Sequence, residues 1–247
     1  MCRMFAYYGS SWSKVEELFN CLSRSAEVDP YFNNSSHKDG WGFVIVTRDK
    51  IIHYRSGRPI FEDTLPIKLN DQEMIAVFHA RQASAGNPIG SQFSHPYLEV
   101  NQNGSIFLAH NGSVDKERLL KEVSMNSEYV VDSELALKFI SRFKDLYEGV
   151  EVLKGYTKSA LNLFLVNISR LGEAELYYLN YVSPSHWDRV KSGRTNASPN
   201  YYDLYINSED GDAVFSSTLS YYCSELGERK AEYSRLTKLG ERMKLVQ

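Results

Sequence analysis

No stretch of this sequence is apolar for long enough to cross a bilayer. Its most hydrophobic runs, such as 43–46 and 163–166, fall far short of the roughly 20 residues a spanning helix needs, so no membrane partner is expected. Excess positive charge is also missing. The 28 Lys and Arg against 31 Asp and Glu give a formal net charge of -3, which argues against nucleic acid as the main partner. Cysteine is scarce: Cys2, Cys21 and Cys223 are an odd number, lie far apart and form no C-x-x-C pair, so neither a disulfide framework nor a cysteine-only zinc site is expected. The N-terminus has neither the charged n-region nor the long h-region of a secretory signal, and a cytoplasmic address is the expectation. Internal repeats and low-complexity tracts are absent.

What remains is ordinary globular material. With 247 residues, 43% hydrophobic and 24% charged, the chain can bury a full core, and one domain over 1–247 is the simplest account. Residues 2–8 predict a strand, which Gly9, Ser10 and Ser11 break before a helix in which Val15, Leu18, Phe19 and Leu22 recur at i, i+3, i+4 and i+7. A turn-rich stretch over 29–40 leads into strands at 41–47 and 51–55, a hairpin pattern. Further strands are predicted at 74–80 and 105–109. Helices follow at 114–123 and 133–147, the second with Leu135, Phe139, Ile140 and Phe143 on one side. Strands return at 162–168, 175–182, 203–207 and 213–216, and 183–200 has the composition of a long loop or insertion. Hairpin-like pairs with clustered helices predict an α+β fold with largely antiparallel sheets.

Four histidines, His37, His79, His95 and His110, stand beside turn residues. Convergence on a metal is one reading, but no H-x-x-x-H or comparable local pair exists, so neither metal nor cofactor is expected. Asn111-Gly112 is a turn signal when taken alone; it is also a pair of N–H donors suited to an oxyanion hole. His79 and Arg81, two apart, share one face of the predicted strand, and the guanidinium needs either an internal carboxylate or that of a substrate. Asp132 precedes a helix, where it serves as an N-cap, as a partner for a substrate ammonium, or as both.

Cys2 is the least usual placement. A buried strand cysteine is the plain reading. Removal of Met1 would instead give Cys2 a free α-amine. Such an amine titrates at about 7.7–8.0, so a fraction is neutral at pH 7 and can take the thiol proton.

The motifs HKDGWG (37–42), HARQASAG (79–86), SHPY (94–97), AHNG (109–112) and VDSE (131–134) follow Cys2 in the order seen in class-II glutamine amidotransferases, which the sequence resembles over most of its length. The resemblance implies the N-terminal-nucleophile hydrolase fold, a four-layer αββα sandwich of two antiparallel sheets. It also implies that Cys2 attacks the glutamine side-chain amide to give a γ-glutamyl thioester, ammonia and then glutamate. By the same resemblance Asn111 and Gly112 hold the oxyanion, Arg81 the α-carboxylate and Asp132 the α-ammonium. Ser84 stands where the family often has a substrate-binding threonine, and Ala85 where some members have a histidine. Family members that build a product carry a separate acceptor domain, so the resemblance leaves two alternatives besides the small-molecule substrate: a distinct ammonia-accepting synthase subunit as partner, or hydrolysis of a γ-glutamyl compound as an end in itself. Two other readings remain open here: hydrolysis of a γ-glutamyl or other N-acyl conjugate, with 183–200 carrying the difference, and a non-catalytic ligand-binding subunit.

Overall fold

The structure, a computed structural model, describes residues 2–84, 86–125, 129–226 and 229–246. In chain order its first half comprises β1 (Cys2–Gly9), α1 (Trp12–Glu27), β2 (Trp41–Thr47), β3 (Ile51–Ser56), β4 (Met74–Arg81), β5 (Tyr97–Asn101) and β6 (Gly104–Val114). The helices α2 (Lys116–Glu122), α3 (Asp132–Ile140) and α4 (Leu146–Lys154) come next, then β7 (Thr157–Ser169), β8 (Glu173–Leu179) and α5 (Pro184–Lys191). The chain continues with β9 (Leu204–Asn207), β10 (Asp212–Ser216), α6 (Ser217–Tyr222), β11 (Arg229–Lys230) and β12 (Thr237–Lys244).

Two antiparallel sheets result, one in the order β11-β9-β10-β1-β4-β2-β3 and one in the order β12-β8-β7-β6-β5. Alternation along β1 shows how they stack. Phe5 and Tyr7 pack with Val15, Leu18 and Leu22 of α1, whereas Met4 and Ala6 pack with Phe164 and Val166 of β7 in the facing sheet. The outer face of the five-stranded sheet carries Leu163 and Leu165 against Leu135 and Phe139 of α3. Helix, sheet, sheet and helix give the αββα sandwich that the motifs implied.

Several local expectations give way. The predicted helix 133–147 is two helices: α3 stops at Ile140, and Asp145 caps α4 by accepting from the Tyr147 N–H. The strand predicted at 105–109 runs on through Asn111 and Gly112 to Val114, so Asn111-Gly112 is not a turn. Residues 183–200 open with α5, which has Pro184 in its first turn, a position that needs no N–H donor. The strands β5, β11 and β12 add to the expected set. In β12 a register shift between Leu239 and Met243, with Gly240 at φ 67°, breaks the period of two that would reveal it.

The cysteine expectation also changes. Cys21 of α1 and Cys223, just past α6, are disulfide-bonded with Cα atoms 6.0 Å apart. A sequence separation of 202 hides the pair, yet both helices lie on the same sheet face. No helix among the described residues is long and apolar enough to cross a membrane.

Candidate active site

Period two in adjacent strands assembles the site. Met4 and Ala6 of β1 enter the space between the sheets, and Cys2 points the same way; Ile75 and Val77 of β4 do likewise, followed by His79 and Arg81. The strands are antiparallel neighbours, with Cys2 opposite Arg81 and Met4 opposite His79. From the facing sheet, Phe107 and Ala109 of β6 enter the same core, followed by Asn111. One end of the sandwich therefore closes on a thiol, an imidazole, a guanidinium and an amide.

Asn111 Oδ1 accepts from the Cys2 nitrogen at 3.0 Å, while Asn111 Nδ2 is buried without a hydrogen-bond partner. A buried amide donor left unpaired is costly, so this N–H is held in reserve for something. Gly112 follows at φ 151°, and a Cβ there would overlap the Ala160 carbonyl and lie 2.9 Å from His110 Nε2. Only glycine fits.

The Cys2 thiol is buried. Burial opposes its ionisation, but the positive amino terminus, then the nearby His79, and lastly the Gln82 backbone, to whose carbonyl the thiol donates at 4.0 Å, hold the thiol well below its ordinary pKa. His79 Nε2 lies 3.1 Å from the His110 carbonyl, which can only accept, so Nε2 carries the proton; Nδ1 is buried and unpartnered. The His95 ring stacks on His79 with centroids 4.0 Å apart, and neither of its nitrogens has a partner. Burial, followed by the charges of His79, His110 and Arg81, pushes the His95 imidazole well below its usual range and keeps it neutral. His110 Nε2 donates to the Ala160 carbonyl at 3.2 Å, leaving Nδ1 to accept from Ser133 Oγ at 2.8 Å.

Arg81 is buried and donates from Nη1 to the Pro88 carbonyl at 3.0 Å. Among the described residues no carboxylate lies within ion-pair distance of it, so the internal partner that sequence reasoning allowed is not there. Asp39 of the HKDG motif holds this region in place: its N–H donates to the Arg81 carbonyl at 2.9 Å and its Oδ2 accepts from the Ala83 N–H at 2.8 Å. Asp132 is the first residue of α3, with Val131 in the N-cap position. Its Oδ2 accepts from the Val114 N–H at 3.1 Å and its Oδ1 from the Ser133 N–H at 2.9 Å, tying the helix to the end of β6.

Cys2, Arg81, Ser84, Gly112 and Asp132 line one pocket together with His95, His110 and Ser133. Ser84 is at the exposed rim. The free volume is ≈ 20 Å³, room for about one water. Met1 and Ala85 lie outside the described residues. His37 is elsewhere, buried against Asp29 at 2.8 Å, and no three His, Cys, Asp or Glu among the described residues are grouped to hold a metal ion. Sequence reasoning did not bring His79, His95 and His110 to the thiol. The motifs HARQ, SHPY and AHNG each carry one of these histidines, but their convergence depends on strand neighbours far apart in the chain.

No family model matches the sequence, and no curated protein matches it. Solved structures do. One is described as glutamine phosphoribosylpyrophosphate amidotransferase from B. subtilis complexed with ADP and GMP, with a TM-score of 0.65 and 16% identity over 96% of this chain. Another, described as the allosteric regulatory enzyme of purine biosynthesis, gives 0.62 and 19% over 96%. This chain spans about half of each, 48%. What the chain shares with these two proteins is the fold, the αββα sandwich of two antiparallel sheets.

Proposed function

We propose that the protein is a class-II glutamine amidotransferase or glutaminase-type hydrolase with Cys2 as nucleophile. The observation that carries the reading is the unpaired, buried Nδ2 of Asn111, whose other amide atom is bonded to the Cys2 nitrogen itself. A donor kept unpaired beside a thiol of lowered pKa suits a negative oxygen that forms only when that thiol attacks a carbonyl. Loss of Met1 would give Cys2 an α-amine, which Asn111 Oδ1 would hold in place.

In this mechanism sulfur adds to the side-chain carboxamide carbon, and the carbonyl pair moves to an oxygen held by Asn111 Nδ2 and the Gly112 N–H. Collapse breaks the C–N bond and releases ammonia, leaving a γ-glutamyl thioester that water cleaves to glutamate. Arg81, without an internal carboxylate, would take the substrate α-carboxylate, and Asp132 its α-ammonium, with Ser84 at the rim.

Ammonia would pass to a separate synthase subunit or be released. A cytoplasmic location belongs to the same proposal and is checked by the state of Cys21 and Cys223 in cells, because a reducing compartment keeps such thiols apart. The proposal is tested by incubating purified protein with glutamine. Ammonia release should require Cys2, vanish in Cys2→Ala, and follow exposure of Cys2 as the first residue by Edman sequencing. Undiminished ammonia from Cys2→Ala would sink the proposal.

A further inference from the structure

Glycine has the freest backbone of any residue, so the direction of the Gly112 N–H has to be set by its surroundings. Gly112 stands at φ 151°, and the β6–β7 register shifts between it and Val114, so the strand ladder alone does not hold it. His110 supplies the missing constraint. It lies two residues back on the outward face of β6, the face that also carries Ile106 and Leu108 towards α3. Its ring rests against Gly112 where a side chain would be, since a Cβ there would come within 2.9 Å of Nε2.

Three polar atoms of His110 are each bonded to a different element. Its carbonyl accepts from His79 Nε2 of β4 at 3.1 Å, its Nε2 donates to the Ala160 carbonyl of β7 at 3.2 Å, and its Nδ1 accepts from Ser133 Oγ of α3 at 2.8 Å. Ser133 Oγ also lies 3.5 Å from Asp132 Oδ1, so the imidazole is the nearer of its two acceptors. Burial lowers the His110 pKa against the charge of Asp132 and keeps the ring in this neutral form. Both ring nitrogens are spent, and no proton or lone pair is left for a reaction. Asp132 itself accepts from the Val114 N–H at 3.1 Å and the Ser133 N–H at 2.9 Å. The start of α3 is therefore tied to β6 on both sides of Gly112, through Ser133 to His110 and through Asp132 to Val114. His110 and Ser133 are both buried, which shields their bond from water.

Resting on the glutaminase reading, we propose that His110 is a positioning residue: bonded to Ser133 and seated against Gly112, it holds the oxyanion-hole N–H at a fixed distance from the Asp132 carboxylate. A glutamine molecule gripped by its α-ammonium at Asp132 must present its carboxamide oxygen to Gly112 at the other end. With the two recognition points joined, binding the head group places the carbonyl, and a misplacement of about 1 Å costs on the order of a hundredfold in rate. Loosening the joint spares the head group, because Asp132 keeps its bonds to the Val114 and Ser133 N–H groups. It lets the Gly112 N–H drift from the oxyanion. His110 thus acts on the transition state and leaves ground-state binding alone.

The test separates those two quantities. His110→Gln can reach the Ala160 carbonyl with a side-chain N–H but leaves Ser133 without the Nδ1 acceptor. Its kcat for ammonia release should fall at least about tenfold while KM for glutamine stays within about threefold of wild type. The same split should appear without turnover. The aldehyde analogue of glutamine adds to Cys2 as a thiohemiacetal whose oxygen enters the oxyanion hole, whereas norvaline offers the head group and no side-chain carbonyl. His110→Gln should bind the aldehyde at least about tenfold more weakly than wild type and norvaline equally well. Ser133→Ala removes the tie from its other end and should reproduce the split, and Ser133→Thr, which keeps the hydroxyl, should restore wild-type behaviour. Equal weakening of aldehyde and norvaline, a KM that rises as kcat falls, or wild-type kcat in both His110→Gln and Ser133→Ala would overturn the proposal. If His110→Gln does not fold, Ser133→Ala and Ser133→Thr decide by the same measurements. Wild type that binds the aldehyde but releases no ammonia from glutamine, with the split intact in the variants, would uphold the positioning role while removing the glutaminase reading. Ammonia release with no split in either variant would do the reverse.

Discussion

Two polar clusters sit one residue apart on β1, on opposite faces of the strand, and they are built in opposite ways. Behind the strand, Arg3 Nε pairs with Asp29 Oδ2 at 2.5 Å, and its Nη1 donates to the Tyr201 carbonyl at 2.9 Å. Asp29 also meets His37 Nε2 at 2.8 Å and accepts from Thr218 Oγ1 at 2.9 Å. The Arg3 guanidinium lies 3.7 Å from the Tyr201 ring centroid, leaving only Nη2 without a hydrogen bond. In front of the strand, Asn111 Nδ2, His79 Nδ1 and both nitrogens of His95 have no partner. Burial is the same on both sides, but satisfaction is not. A cluster that uses up its hydrogen bonds holds a structure together, whereas one that keeps them open has them to give to a substrate or a reacting atom.

The rear cluster should therefore respond in stability and the front one in rate. The largest effect is expected from Asp29→Ala, which strands a fully buried guanidinium: about 3–5 kcal/mol should be lost, read as a lower urea midpoint at unchanged slope. A loss below about 1 kcal/mol would mean that Tyr201 alone satisfies Arg3, and the contrast between the clusters would fail. Asn111→Ala should do the opposite, lowering kcat for ammonia release by about 10²–10³ while thermal stability stays near wild type. A variant within threefold of the wild-type rate removes Asn111 from the oxyanion hole.

The third effect concerns the anchoring of the rear cluster. Thr218 reaches Asp29 from α6, and the Cys21–Cys223 bond ties the end of α6 to α1. Cys223→Ser should cost about 2–4 kcal/mol under oxidising conditions and leave turnover at 25 °C unchanged. Equal stability of the oxidised wild type and the variant would show that packing alone holds α6.

Legibility in the sequence followed the range of the interaction. The alternation of β1 and β4 and the i, i+3, i+4 pattern of α1 are local, and so were readable. The motifs around Arg81, Asn111 and Asp132 could be found from order and composition, but not their meeting point. That meeting depends on Cys2 pairing with β4 and on β6 lying across the sandwich, and neither is encoded within a window of neighbours. The break between α3 and α4 was missed because Leu135, Phe139 and Phe143 keep helical spacing across it. Arg3–Asp29 and Cys21–Cys223 were missed for the same reason as the site: each joins elements that only the topology makes adjacent.

Acid gives the finest separation of the two faces. Burial alone would raise the Asp29 pKa, but the charge of Arg3 and the hydrogen bond from His37 outweigh it, and the folded carboxyl titrates well below its ordinary range. A carboxylate depressed in the folded state contributes stability above its unfolded pKa of about 3.9 and loses it as pH falls through the lower folded value. Between those limits the unfolded chain binds one proton that the folded chain does not, so this group steepens the fall by up to about 1.4 kcal/mol per pH unit. Asp29→Asn keeps one acceptor oxygen, which can serve Arg3 or Thr218 but not both, and it cannot titrate. Its unfolding free energy, measured in urea from pH 5 to pH 2, should start lower than wild type and then decline with a slope smaller by about one proton. Substitution of Asn111 on the opposite face should leave that slope untouched. Parallel wild-type and Asp29→Asn curves would mean that Arg3 does not rely on the charge of Asp29, and that the rear cluster is held by its neutral hydrogen bonds and the Tyr201 ring.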